Sequence, residues 1–136
     1  MKTLYESPFL RLGYYKPQKL VEAIWLSETA GMTEIQYQKV FTDYLVVLNQ
    51  NPPAKLLIDE RQMLFTVNPD LQLWVTDMVK QELKWKLEKI AIVVNSDLIQ
   101  QLAAEQLMQE SDSSNITITQ FFEEKENAIK WLTDPL

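Results

Sequence analysis

The chain contains no cysteine, no histidine and only two glycines, Gly13 and Gly31. Without thiols or imidazoles there is no disulfide, no thiolate nucleophile, no Ser-His-Asp or Cys-His relay and no zinc site of the usual ligand sets. Two isolated glycines write neither a Walker phosphate loop nor a dinucleotide fingerprint. Positive charge is scarce as well. Thirteen Lys and Arg stand against nineteen Asp and Glu, a formal charge of -6, which is the wrong sign for neutralising duplex phosphates, so nucleic acid is not an expected partner. The longest uninterrupted aliphatic runs are five residues, with 90–94 the clearest, against about 20 for a bilayer-spanning helix. Residues 1–11 offer no apolar block of signal-peptide length, so cleaved secretion is not expected and a cytoplasmic location is. No metal and no cofactor is expected. What remains is carboxylate, hydroxyl and lysine chemistry on 136 residues that are 46% hydrophobic, enough for one domain around a single core.

Periodicity then sets the elements. Residues 9–15 and 20–26 are rich in aromatic and branched side chains and flank Lys16, Pro17, Gln18 and Lys19, which predicts an N-terminal antiparallel hairpin. Thr33 with Gln36 forms a capping-box pattern, followed by Tyr37, Val40, Phe41, Tyr44, Leu45 and Leu48 at helical spacing up to Pro52 and Pro53. Lys55 to Asp59 is apolar without alternation in Leu56, Leu57 and Ile58, the pattern of a mid-sheet strand covered on both faces. Asn68 and Pro69 open a second helix through Leu71, Trp74, Val75, Met78 and Val79. A buried strand at 90–94 feeds a third helix capped by Ser96 and Asp97 and carrying Leu98, Ile99, Leu102, Ala103 and Leu107. After a polar turn at 110–115, residues 116–121 alternate as a strand with one covered face, and Ala128, Ile129 and Leu132 mark a short closing helix. The expected fold is α/β: a mixed, mostly parallel four- to five-stranded sheet with an N-terminal antiparallel hairpin and about four helices, in one domain spanning 1–136.

Several of these segments together resemble the SpoIIAA-like branch of the STAS superfamily, small α/β domains related in shape to anti-sigma factor antagonists and to the CRAL-TRIO lipid-binding fold. The residues that carry the resemblance are Trp25, Met32-Thr33-Glu34, Leu57-Ile58-Asp59-Glu60-Arg61, Phe65-Thr66-Val67-Asn68-Pro69, Gln72, Trp74, Ile90-Ala91-Ile92-Val93-Val94, Phe121-Phe122 and Ala128-Ile129-Lys130-Trp131-Leu132. The resemblance implies binding or regulation through protein partners or self-association, without catalytic turnover. It also implies a phosphorylatable serine just past the third strand. Here the chain departs from the pattern, because Glu60, Arg61, Gln62, Met63, Leu64 and Phe65 occupy that stretch and Thr66 is the only hydroxyl before the second helix. A phosphate adding about 1.5 to 2 negative charges beside Asp59 and Glu60 would be repelled unless Arg61 compensated. The larger lipid-transfer relatives enclose an acyl cavity with helices that this chain lacks.

Ligands of open parallel sheets sit outside the carboxyl ends of strands where the strand order reverses. That edge gathers Glu28, Asp59, Arg61, Asn95 and Ser96, a candidate small-ligand crevice; alternatively Asp59 and Arg61 satisfy each other or the loop backbone, and Ser96 only caps its helix. Asp59 and Glu60 are neighbours, so on a strand they face opposite ways and do not form a facing acid/base pair, although a buried carboxylate can acquire a raised pKa. Met63, Leu64 and Phe65 form an apolar knot in the long loop 60–67. They either fold back on their own domain or meet the same loop of a second chain in an isologous homodimer. Trp85 lies among Lys84, Lys86 and Lys89, read either as lysines snorkelling around a helix end or as a base-stacking patch.

Overall fold

A computed structural model describes residues 1–95 and 117–134. Six strands form one sheet in the order β1-β2-β3-β4-β5-β6: β1 (Lys2–Glu6), β2 (Leu10–Tyr15), β3 (Leu20–Trp25), β4 (Lys55–Asp59), β5 (Lys89–Val93) and β6 (Ile118–Phe122). β1, β2 and β3 pair antiparallel, and β3 through β6 pair parallel. The fold is thus α/β with a mixed sheet, as expected, but with six strands where four to five were expected. The unexpected strand is β1. It is an edge strand with three of its five residues exposed, and its ladder to β2 slips between Thr3 and Tyr5, so local alternation does not announce it. Such a bulge on a lysine-bearing edge also discourages further strand addition.

Three α-helices lie among the described residues: α1 (Glu34–Gln50), α2 (Pro69–Glu82) and α3 (Lys125–Thr133). The capping box is formed as read, with Gln36 N donating to Thr33 Oγ1 at 3.1 Å and Thr33 N donating to Gln36 Oε1 at 2.8 Å. Asn68 Oδ1 accepts from Leu71 N at 2.8 Å and Pro69 takes the first turn of α2. The third helix expected after Ser96, and the turn at 110–115, lie outside the described residues. A short 3₁₀ turn at Lys16–Gln18 closes the β2–β3 hairpin with Lys19 left-handed at φ 52. A second 3₁₀ turn, Ser27–Gly31, joins β3 to α1. No helix among the described residues is long and apolar enough to cross a membrane.

The sheet separates two cores. On one face Leu10, Leu12, Val21, Ala23, Trp25 and Leu56 pack against Tyr37, Phe41, Tyr44 and Leu48 of α1 and Leu71 of α2. On the other, Leu20, Leu57, Ala91 and Val93 pack against Ala128 and Leu132 of α3. Leu56 and Leu57 thus go to opposite cores, which is why β4 reads as continuously apolar. Lys89 is only 4% exposed, on β5 beneath α3. Its Nζ donates to Trp131 O at 2.7 Å and Asp134 O at 3.3 Å and stands 4.8 Å from the Trp131 ring centroid. The reading of Lys89 as a lysine snorkelling near α2 is therefore corrected: it is a buried cation completing the carbonyl end of α3.

Candidate functional site

Because β3, β4 and β5 run parallel, their carboxyl ends share one rim, and the register aligns Ile24, Asp59 and Val93 across it. The described strands follow one another in sequence order, so no reversal point lies among them at this rim; the switch-point argument for a ligand crevice does not apply to these strands. Asp59 is 4% exposed. Arg61 grips its carboxylate with both arms, Nε to Oδ1 at 3.0 Å and Nη2 to Oδ2 at 2.8 Å, while Arg61 N also donates to Oδ1 at 3.1 Å. Asn95 Nδ2 donates to Arg61 O at 3.2 Å. Asp59, Arg61 and Asn95 are therefore brought together. Glu28 is exposed on the Ser27–Gly31 turn of the same rim, with no hydrogen bond to that group among the described residues. Ser96 lies outside the described residues.

Burial opposes ionisation of Asp59, but the hydrogen bonds and charge of Arg61, aided by Lys125, outweigh it and hold the carboxyl below its ordinary range. An acid this well paired is a poor general base. Glu60, the next residue, has its backbone on β5, with Glu60 N donating to Val93 O at 2.9 Å. Its charge acts on Tyr37 and Tyr44 of the first core. Burial, then the neighbouring Asp59 charge, pushes the Glu60 carboxyl up. Burial first and Glu60 second push both tyrosines up. Tyr44 Oη is buried without a hydrogen-bond partner among the described residues.

The loop beyond Glu60 is pinned at several points. Thr29, fully buried, donates through Oγ1 to Leu26 O at 2.7 Å and accepts from Leu64 N at 2.8 Å. Phe65 stacks on Tyr37 with centroids 5.1 Å apart and planes 12° from parallel. Met63 packs against the same core, and Met63 N donates to Glu60 O at 3.1 Å. Met63 and Phe65 thus fold back on their own domain, while Leu64 between them stays 62% exposed.

Three residues not singled out in the sequence join the site from the α3 face. Glu22, 6% exposed on β3, receives the Tyr15 hydroxyl at 3.2 Å and pairs with Lys125 at the start of α3. Lys125 in turn contributes to depressing Asp59, and Glu22 and Glu124 support the charge on Arg61. One signal was available: Glu22 interrupts the otherwise apolar run 20–26, and a carboxylate in such a strand is retained only with partners. Tyr15 and Lys125 carried no comparable sign, since only the tertiary fold brings the hairpin and α3 together. No group of three or more Asp or Glu among the described residues is arranged to hold a metal ion. Compared with protein-family models, with curated proteins and with solved structures, the chain matches none.

Proposed function

We propose that this chain is a non-enzymatic interaction module of the STAS-like, SpoIIAA-like class, without the phosphorylatable serine, which engages another protein surface through the rim around Leu64. The observation that carries the reading is the way Leu64 is held. Its backbone N–H is fixed by a buried threonine, both loop neighbours are anchored in the first core, and its side chain is 62% exposed. An apolar knob on a pre-pinned loop loses little conformational freedom on binding, which is the property of a docking anchor. The polar part of the rim favours this reading over a small-ligand crevice, because Asp59, Arg61 and Asn95 direct their hydrogen bonds to one another.

Site-specific photocrosslinking tests it. A benzophenone side chain placed at position 64 is expected to give a discrete protein adduct, in the purified protein or in the cells that make it, whereas the same probe at exposed Thr42 on α1 gives none. No adduct from position 64 under either condition removes the reading.

A further inference from the structure

The parallel strands sort charge toward two poles. At the carboxyl rim stand exposed Glu28 and Glu34, Asp70 at the start of α2, and Glu123, Glu124 and Glu126 after β6. At the opposite pole the hairpin carries Lys16 and Lys19, β4 begins with Lys55, and Lys84 and Lys86 flank Trp85; exposed Glu82 and Glu88 stand beside them, so five lysines face two carboxylates there. The fold ties these last groups together: Ala54 N and Lys55 N donate to Lys19 O at 2.9 and 3.2 Å, Glu88 N donates to Ala54 O at 2.8 Å, and Trp85 Nε1 donates to Pro53 O at 2.8 Å. Lysines beside the carboxyl ends of α1 and α2 would be expected from helix dipoles alone. Lys16, Lys19 and Lys55 lie on a hairpin turn and a strand start, so that account does not cover them. A protein of net charge -6 has thereby gathered a cationic surface around a half-buried indole.

We infer that the protein associates head to tail with a second copy of itself, the acidic rim around Leu64 of one molecule docking on the lysine pole around Trp85 of the next. This rests on the reading of the Leu64 rim as a docking surface and names its partner. Charge complementarity selects the arrangement. A two-fold pairing of rim on rim, or of pole on pole, sets like charges against each other, whereas head to tail pairs acid with lysine and Leu64 with the Trp85 surface. Such a contact leaves a free rim at one end and a free pole at the other, so it extends with concentration instead of closing at two copies. It also weakens with salt, because its charges lie on exposed surfaces.

Sedimentation velocity on the full chain reads this out. The wild type is expected to associate increasingly with concentration at low ionic strength, with affinity falling at least about tenfold in roughly 0.5 M salt. Leu64→Asp disables the rim and the double variant Lys84→Glu/Lys86→Glu disables the pole; each alone is expected to be monomeric with an unchanged circular dichroism spectrum. Mixed in equal amounts they are expected to form a dimer and nothing larger, since one intact rim and one intact pole remain. Glu28→Lys/Glu34→Lys serves as a second rim variant should Leu64→Asp misfold. A wild type monomeric at all concentrations, a salt-insensitive dimer that never extends, or a variant mixture that stays monomeric overturns the inference. So does a monomer whose lysine pole instead binds phosphatidylserine vesicles or an oligonucleotide. Adducts from position 64 to a different protein, with a monomeric chain, overturn the self-association while leaving the rim reading intact.

Discussion

Replacing Thr29 by valine isolates what holds the rim in shape. The two side chains are close in volume, so the substitution exchanges a hydroxyl for a methyl group in a site with 0% exposure. Two hydrogen bonds disappear, but their consequences differ. Leu26 O keeps the backbone donor Thr29 N at 3.1 Å, so that carbonyl remains satisfied. Leu64 N has Thr29 Oγ1 as its acceptor at 2.8 Å and is left without it. An orphaned, partly buried donor costs about 1–3 kcal/mol, which for a domain of this size lowers the melting temperature by roughly 4–12 °C. Urea and thermal denaturation measure the loss, and amide hydrogen exchange locates it: Leu64 N–H is expected to lose more protection than the β4 and β5 amides, whose protection falls only with the global stability. Thr29→Ser keeps the hydroxyl and is expected to preserve Leu64 protection. A Thr29→Val loss under about 0.5 kcal/mol with Leu64 still protected refutes the argument, and would assign the loop's position to the Phe65–Tyr37 stack and the Met63 contacts.

The remaining predictions concern the charges. Glu60 has its folded pKa raised above the ordinary 4.5 by burial and then by Asp59, so its contribution to stability is fully present below that value and is lost as pH rises through the folded pKa. Glu60→Gln is therefore expected to flatten the decline of stability with rising pH in melts recorded upward from 4.5; parallel curves for variant and wild type contradict this. Asp59 has the opposite sign: its folded pKa lies below 3.8, so its contribution is present above that value and is lost as pH falls through the folded pKa. Asp59→Asn should remove that part of the acid limb in urea titrations between roughly pH 2 and 5, and an unaltered limb argues against the Arg61 pairing as its cause. Lys89→Met removes a buried cation from two carbonyls at 2.7 and 3.3 Å. A loss of about 1.5–3 kcal/mol is expected, with exchange accelerated first along α3; uniform acceleration across the sheet would show that Lys89 serves the whole fold instead.

Much of the architecture is legible from local pattern. The capping box at Thr33, the Asn68–Pro69 start of α2 and the two-sided apolar run at Leu56 and Leu57 each rest on neighbours a few residues apart, and each appears in the structure as read. Strand β1 escapes that logic. Its residues are mostly exposed and its pairing depends on β2, reached through a turn in which Ser7 Oγ accepts from Phe9 N at 3.1 Å and Leu10 N at 3.0 Å. Lys89 misled for a related reason: among Lys84 and Lys86 it looks like surface charge, and only the arrival of α3 supplies carbonyls that make its burial favourable.

The same division runs through the rim. Sequence alone determined that one apolar strand ends in Asp59 and another just before Asn95, that a loop too apolar for open solvent follows the first, and that neither cysteine nor histidine chemistry is present. Tertiary structure decided that Arg61 closes on Asp59, that the Glu60 charge comes to act on Tyr37 and Tyr44, that Glu22 and Lys125 meet from distant elements, and that Leu64 alone of its apolar trio faces outward. The physical reason is range. Helical and strand periodicity is set by contacts within a turn or a pleat, whereas the partner of a buried charge and the exposure of a loop side chain depend on groups that folding brings from tens of residues away.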